Sequence, residues 1–219
     1  MIQVAIAGID TGLGQAIAAL VDAAPDMLLS GGTSIIEHQH NNSPGMAGML
    51  DRSTALVDVT SPAALMANAI HCLSAGCALV GGVGALDPNH VAELRDFSRH
   101  IPIFYAPDLC IETAALLAVL PDLLRRLPHL QTEITGVDQF RRRRNVDDLR
   151  HVSQPSVFLT GGAQEILLSQ RVYGHGAAAR GAMQALRLLA EQPHGFFTMS
   201  DLLEQPAAAS GQPEVARVS

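Results

Sequence analysis

Lysine is absent from this chain. All 14 basic residues are arginine, so neither a Schiff-base lysine nor a lysine general acid is available. Tryptophan is absent too, and aromatic residues make up only 4% of the chain. Ala, Leu, Val and Ile must therefore fill the interior, and 48% hydrophobic residues over a length of 219 suffice for a full core. Excess positive charge is missing. The net charge of −7 argues against bulk attraction to nucleic acid or to an anionic membrane, so neither is expected as a partner. No apolar run reaches the ~20 residues of a membrane span. The opening "MIQVAIAG" lacks the basic start of a secretory leader, which predicts a cytoplasmic protein. Cysteine is scarce: Cys72, Cys77 and Cys110 form an odd set without zinc spacing. They read as small buried thiols in a reducing compartment, and no metal is expected.

What is present is a regular alternation. Ile2 to Ala7 is a short β-branched apolar run, suited to a strand buried on both faces of a parallel sheet. Leu13 to Ala24 follows as a helix, stopped by Pro25. Met27 to Leu29, Ala55 to Val59, Ala78 to Val80 and Ile101 to Tyr105 are further strands. Ser61-Pro62 opens one helix as an N-cap with proline at the first position, and Gly76 ends it. Asp87-Pro88 opens another, to about Arg99. "GGTSIIEHQHNNSPGMAG" (31–48) reads as loop. Strand and helix alternating five times predict an α/β fold, a Rossmann-like doubly wound parallel sheet whose strand carboxyl ends line one edge. After Pro107 the pattern changes. Leu109 to Leu127 is a long helix containing Pro121, Gln131 to Val137 alternates as a strand, Ser156 to Thr160 and Gln164 to Val172 are two more strands, and Ala177 to Gln192 is a helix. The expected organisation is a dinucleotide-binding domain over 1–107, a smaller α+β domain with an open antiparallel or mixed sheet over 108–204, and a disordered tail over 205–219.

"VAIAGIDTGLG" ends a strand in Gly8, Gly12 and Gly14 and opens a helix. Gly8 would turn the chain out of the strand, Gly12 would admit a pyrophosphate, and Gly14 would let helix and sheet pack closely, with free N–H groups aimed at the phosphates. The alternative is a structural turn. The acidic residue that often follows the second strand and binds the ribose of NAD is missing. Gly31-Gly32-Thr33-Ser34 stands there, without Arg either, so Thr33 and Ser34 are ribose-side candidates and both NADH and NADPH remain open.

The order of segments resembles the dihydrodipicolinate reductase family. "VAIAGIDTGLGQAI" stands for V-A-G-x-x-G-R-M-G. "LVDVTSPAALMANAIHCLSAGCALVGGVGAL" stands for I-D-F-T-x-P-E-x-x-x-x-H followed by G-K-x-x-V-I-G-T-T-G. "IPIFYAPDLCIETAALL" stands for A-P-N-x-S-x-G-x-N, and "GGAQEILLSQRVYGHGAAARGAMQALRLLAEQPHGFFTMSDLL" follows the closing stretch. The resemblance implies an NAD(P)H-dependent reductase of the diaminopimelate route to lysine, with a first domain that binds NADPH or NADH and a second that holds a small carboxylated substrate and assembles a homo-oligomer. It maps cofactor contacts to Gly8, Gly12, Leu13, Gly14, Thr60, Gly82, Gly84, Ala106 and Asp108. The family's catalytic E-x-H-H-R-H-K and P-S-G-T segments are replaced by "EITGVDQFRRRRNVDDLRHVSQ". The histidine pair falls on Asp138 and Gln139 and the lysine on Arg142. Asp138 and Arg142 are thus the catalytic candidates, and Arg141, Arg142 and Arg143 the carboxylate anchors. A cofactor-binding or assembly protein without catalysis, and an imine reductase outside lysine synthesis, are the alternatives.

Other residues carry two readings each. Arg141 to Arg144 either fork onto a carboxylate or phosphate or form a solvated loop paired with Asp147 and Asp148. Glu37, His38 and His40 read as loop residues rather than metal ligands. His151 and His175 read as surface histidines, with a role as acid open to either. Asp108 and Glu112 either share a helical face near the nicotinamide or cap the helix.

Overall fold

The computed structural model describes residues 1–35, 44–136, 139–143, 156–161 and 163–204. Six parallel strands form the main sheet: β1 (Ile2–Ala7), β2 (Met27–Thr33), β3 (Ala55–Asp58), β4 (Ala78–Gly81), β5 (Pro102–Tyr105) and β10 (Gly195–Phe197). Their spatial order is β10-β5-β4-β3-β1-β2. Alternate side chains along each strand fall into opposite cores, as the two-residue period requires. Val4, Ile6, Val57, Val80 and Phe104 face one side, packing on Ile17 and Val21 of α1 (Gly12–Ala23) and Ala182 and Leu186 of α6 (Gly176–Ala190). Ala5, Ala7, Leu56, Leu79 and Ile103 face the other. There they meet α2 (Pro44–Leu50), α3 (Pro62–Ala75) and α4 (Pro88–Phe97). The result is a three-layer α/β/α sandwich, and the chain reverses direction across the sheet between β1 and β3.

The expected caps are present. Ser61 accepts from the Ala64 N–H with Pro62 following, Gly76 closes α3 at φ 66°, and Asp87 accepts from the Asn89 and His90 N–H groups. All three cysteines are free and buried. A hydrogen bond from the Cys72 thiol to Cys77, and after it burial, push that thiol up.

Three expectations change. The segment 31–48 is not one loop: residues 31–33 extend β2, 36–43 lie outside the described residues, and 44–50 form α2. Met46, Met49 and Leu50, spaced three and four apart, are buried against β2 and α3, and this burial overrides a composition rich in Pro, Gly and Ser. The main sheet has six strands rather than five, because Gly195–Phe197 pairs with β5. The second half does not stay together in space. α6, β10 and α7 (Met199–Glu204) pack into the main sheet's core, leaving α5 (Ile111–Arg126), which runs on through Pro121, with an antiparallel sheet.

That sheet has the order β7-β6-β8-β9, from β6 (Gln131–Gly136), β7 (Gln139–Arg143), β8 (Ser156–Gly161) and β9 (Gln164–Ser169). Val157 and Leu159 are buried on one face with Leu120 of α5. Phe158 and Leu167, directly paired, stand on the other face, where Leu167 is 51% exposed. The expected tail, 205–219, lies outside the described residues.

Candidate active site

The carboxyl ends of β1 and β3 flank the point where the strand order reverses, the usual crevice of an open α/β sheet. Gly8 leaves β1 at φ +82°, a conformation open to glycine at little cost. Its N–H and that of Ile9 donate to the Thr33 carbonyl at 2.8 and 3.1 Å. Thr33 itself is only 6% exposed, so it anchors the turn through its backbone.

Thr11 caps α1. Its Oγ1 accepts from the Gly14 N–H at 2.9 Å and donates to the Gly8 carbonyl at 2.7 Å. One of the three first-turn donors is therefore already used. The N–H groups of Gly12 and Leu13 have no acceptor among the described residues, and no acidic residue stands in the first turn. This is the donor pair and dipole end that suit a diphosphate. A Cβ on Gly14 would lie 2.1 Å from the Gly8 carbonyl oxygen, so helix and turn are in direct contact.

Across the crevice, Thr60 is held by Asp58. The fully buried carboxylate accepts from the Thr60 N–H at 2.9 Å and from its hydroxyl at 2.5 Å, and from the buried Asn68 amide at 2.7 Å. Gly82 donates to the Asp58 carbonyl and packs so closely on Leu109 that a Cβ would meet it at 2.3 Å. Gly84 lies open, and its carbonyl accepts from the Tyr105 hydroxyl, which also accepts from the Leu86 N–H. Ala106 is buried and joins β4 through a bond to the Gly81 carbonyl. No local pattern marks Asn68 or Tyr105 as a support, whereas Asp58 stands where the I-D-F-T motif has its aspartate. Each partner of Tyr105 is about 20 residues away in the chain.

Asp108 does not cap α5; Cys110 holds that position. The Asp108 carboxylate accepts from the Cys110 N–H at 2.9 Å and the Thr113 hydroxyl at 3.2 Å. Burial is the main influence on it and raises its pKa above the ordinary 3.8. A carboxyl raised in the fold contributes stability below the unfolded value, and that contribution is lost as pH rises through the folded value. Asp108→Asn should therefore gain stability relative to the parent between about pH 4 and about pH 7. Urea midpoints of both proteins at the two pH values check this, and equal differences at both would contradict it.

The chain returns over this edge after β9. The Gln170 amide donates to Cys110 Sγ at 3.2 Å, and the Cys110 thiol donates to Glu112, which Arg180 of α6 also binds. The Gln170 Oε1 is buried without a partner among the described residues. His175 precedes α6, and its Nε2 would stand 2.5 Å from a Cβ on Gly12. The ring thus lies over the start of α1, and the sequence suggested no such contact.

Of the catalytic candidates, Asp138 lies outside the described residues, as do Arg144, Asp147, Asp148 and His151. Arg141, Arg142 and Arg143 lie in β7, at the edge of the second sheet. Glu37, His38 and His40 fall outside the described residues.

A parallel sheet with this glycine turn, free first-turn donors and switch point is the arrangement of a dinucleotide-binding domain. Residues 2–109 match the family model described as Dihydrodipicolinate reductase, N-terminus. A 4-hydroxy-tetrahydrodipicolinate reductase of Gluconobacter oxydans (strain 621H) is 25% identical over 244 residues, covering 93% of this chain and 97% of the relative. One of Nitratidesulfovibrio vulgaris (strain DSM 19637 / Miyazaki F) is 43% identical over 72 residues, covering 33% of this chain and 28% of that relative. Among solved structures, the dipicolinate-bound dihydrodipicolinate reductase from Paenisporosarcina sp. TG-14 shares the fold at TM-score 0.69 and 12% identity, covering 90% of this chain and 97% of that one.

Proposed function

We propose that this protein reduces a C=N or C=C bond in a small carboxylated substrate. The observation that carries this reading is the return of Gln170 to His175 across the carboxyl edge of the main sheet. It sets the exit of the second sheet beside the cofactor crevice, so a substrate held there faces the nicotinamide.

NAD(P)H, when bound, supplies a hydride to the unsaturated carbon. The protein's own groups do the rest. The Gly12 and Leu13 N–H groups hold the diphosphate. Arg142 forks onto the substrate carboxylate, and Asp138 gives the proton to the nitrogen or second carbon. Arg142 serves as an anchor and not as an acid, because guanidinium stays protonated at any working pH. The curated relatives are named for 4-hydroxy-tetrahydrodipicolinate and the solved neighbour binds dipicolinate, so cyclic imines with carboxylates are the first substrates to test. The replacement of the family's histidine pair and lysine by Asp138, Gln139 and Arg142 favours a second reading, a reductase of a different cyclic imine. The face carrying Phe158 and Leu167, which no element among the described residues covers, suits a second copy of the chain.

Titration of NADH and NADPH, followed by their fluorescence, comes first, and then cofactor oxidation with a panel of carboxylated cyclic imines. Gly12→Asp adds a carboxylate at the first position of α1, where the helix dipole favours it but a diphosphate does not. It should push aside the His175 ring, which stands 2.5 Å from a Cβ there, and weaken cofactor binding by about tenfold or more, ~1.4 kcal/mol. Arg142→Ala should raise KM for the imine and leave cofactor affinity alone. A parent protein that binds neither cofactor ends this reading.

A further inference from the structure

His175 closes the segment that returns over the sheet edge. A Cβ on Gly12 would lie 2.5 Å from its Nε2 and 2.7 Å from its Cδ2. The ring therefore fills the space that a side chain at position 12 would take, beside the first free donor of α1. His175 stands at the cap position of α6, but no side-chain cap bond holds it, and the residue is exposed.

The packing of α6 on α1 sets the ring there. Near the far end of α6, Arg187 donates to both carboxylate oxygens of Asp26, at 2.8 and 3.1 Å. Asp26 lies just past the end of α1 and Gly12 at its start, so the two helices run side by side in one direction with their N-termini together. Neither first turn contains an acidic residue. The N–H groups of Gly176, Ala177 and Ala178, like those of Gly12 and Leu13, have no acceptor among the described residues. Two positive dipole ends meet beside an imidazole, and neither first turn supplies a carboxylate to balance them, so the arrangement suits an anion.

We propose that His175 donates from Nε2 to the cofactor diphosphate, an inference that rests on the cofactor reading above. An imidazole carries a proton at Nε2 in one neutral tautomer and at both nitrogens when charged, and either form can bond a phosphate oxygen. The glycine turn of the first strand thus supplies only part of the diphosphate site. A side chain from the second half of the chain completes it, and glycine at position 12 leaves the room that the ring needs.

The test is titration of NADH and NADPH by fluorescence, and of ADP by competition, with the parent, His175→Ala and His175→Gln. The imidazole caps nothing, so the three proteins should melt together. Alanine should weaken NADH, NADPH and ADP by one common factor of about tenfold, because all three ligands contain the diphosphate. Glutamine restores an N–H donor and should stay within about threefold of the parent. An alanine variant that binds as the parent does or more tightly, one that spares ADP, or a glutamine variant as weak as alanine overturns the assignment to His175. A parent that binds neither dinucleotide overturns the cofactor reading itself and this inference with it.

Discussion

Gly14→Ala should abolish measurable cofactor binding and destabilise the protein by about 3 kcal/mol or more. The added Cβ would stand 2.1 Å from the Gly8 carbonyl oxygen and 2.8 Å from the Ile9 Cα. Both atoms are backbone, so no rotamer change makes room. Relief requires the first turn of α1 to move away from the β1 turn. That movement breaks the Thr11 cap, whose hydroxyl bridges the Gly14 N–H and the Gly8 carbonyl, and it turns the Gly12 and Leu13 donors away from a diphosphate. Native domains are stable by only about 5–15 kcal/mol. A loss of that size lowers the melting point by about 6–12 °C in a chain this long. Calorimetry and cofactor titration read the two effects separately. A variant that melts with the parent and still binds NADH would show that the close approach is not there.

Gly181→Ala should be at least as damaging to the fold. Gly181 lies in α6, and a Cβ there would come 1.7 Å from the Leu109 carbonyl oxygen. α6 thus rests directly on the strand-to-helix connection that carries Ala106 and Asp108. Pushing it off exposes Ala182, Ala185 and Leu186, all fully buried, and disturbs the Arg180–Glu112 and Gln170–Cys110 contacts over the crevice. A loss of about 3 kcal/mol or more is expected, read as a lower urea midpoint. Gly48→Ala is the control. Gly48 lies in α2 with open space around it, so alanine should stabilise by about 0.5–1 kcal/mol through the helix alone. Equal behaviour of the two variants would remove the packing argument.

The alternation of strands and helices in residues 2–105 was legible because every signal in it is local. β-branched runs mark buried strands, Ser61-Pro62 and Asp87-Pro88 mark helix starts, and Gly76 marks a helix end, each within a few residues. The glycine turn was legible for the same reason. β10 was not, since a three-residue run has no periodicity to read and owes its conformation to β5. α2 was hidden by its own composition. Of the polar supports of the site, Asp58 under Thr60 lies in the stretch matched to I-D-F-T, while Tyr105 under Gly84 and Leu86 carries no spacing motif.

By itself, then, the sequence determined the parallel sheet, the turn that opens α1 and the match of residues 2–109 to a reductase family model, because local chemistry and short spacings suffice for these. Tertiary structure alone decided that α6 and β10 return to the first sheet and that His175 overlies Gly12. Those contacts join residues far apart in the chain, and only the packing of one layer on another brings them within bonding distance.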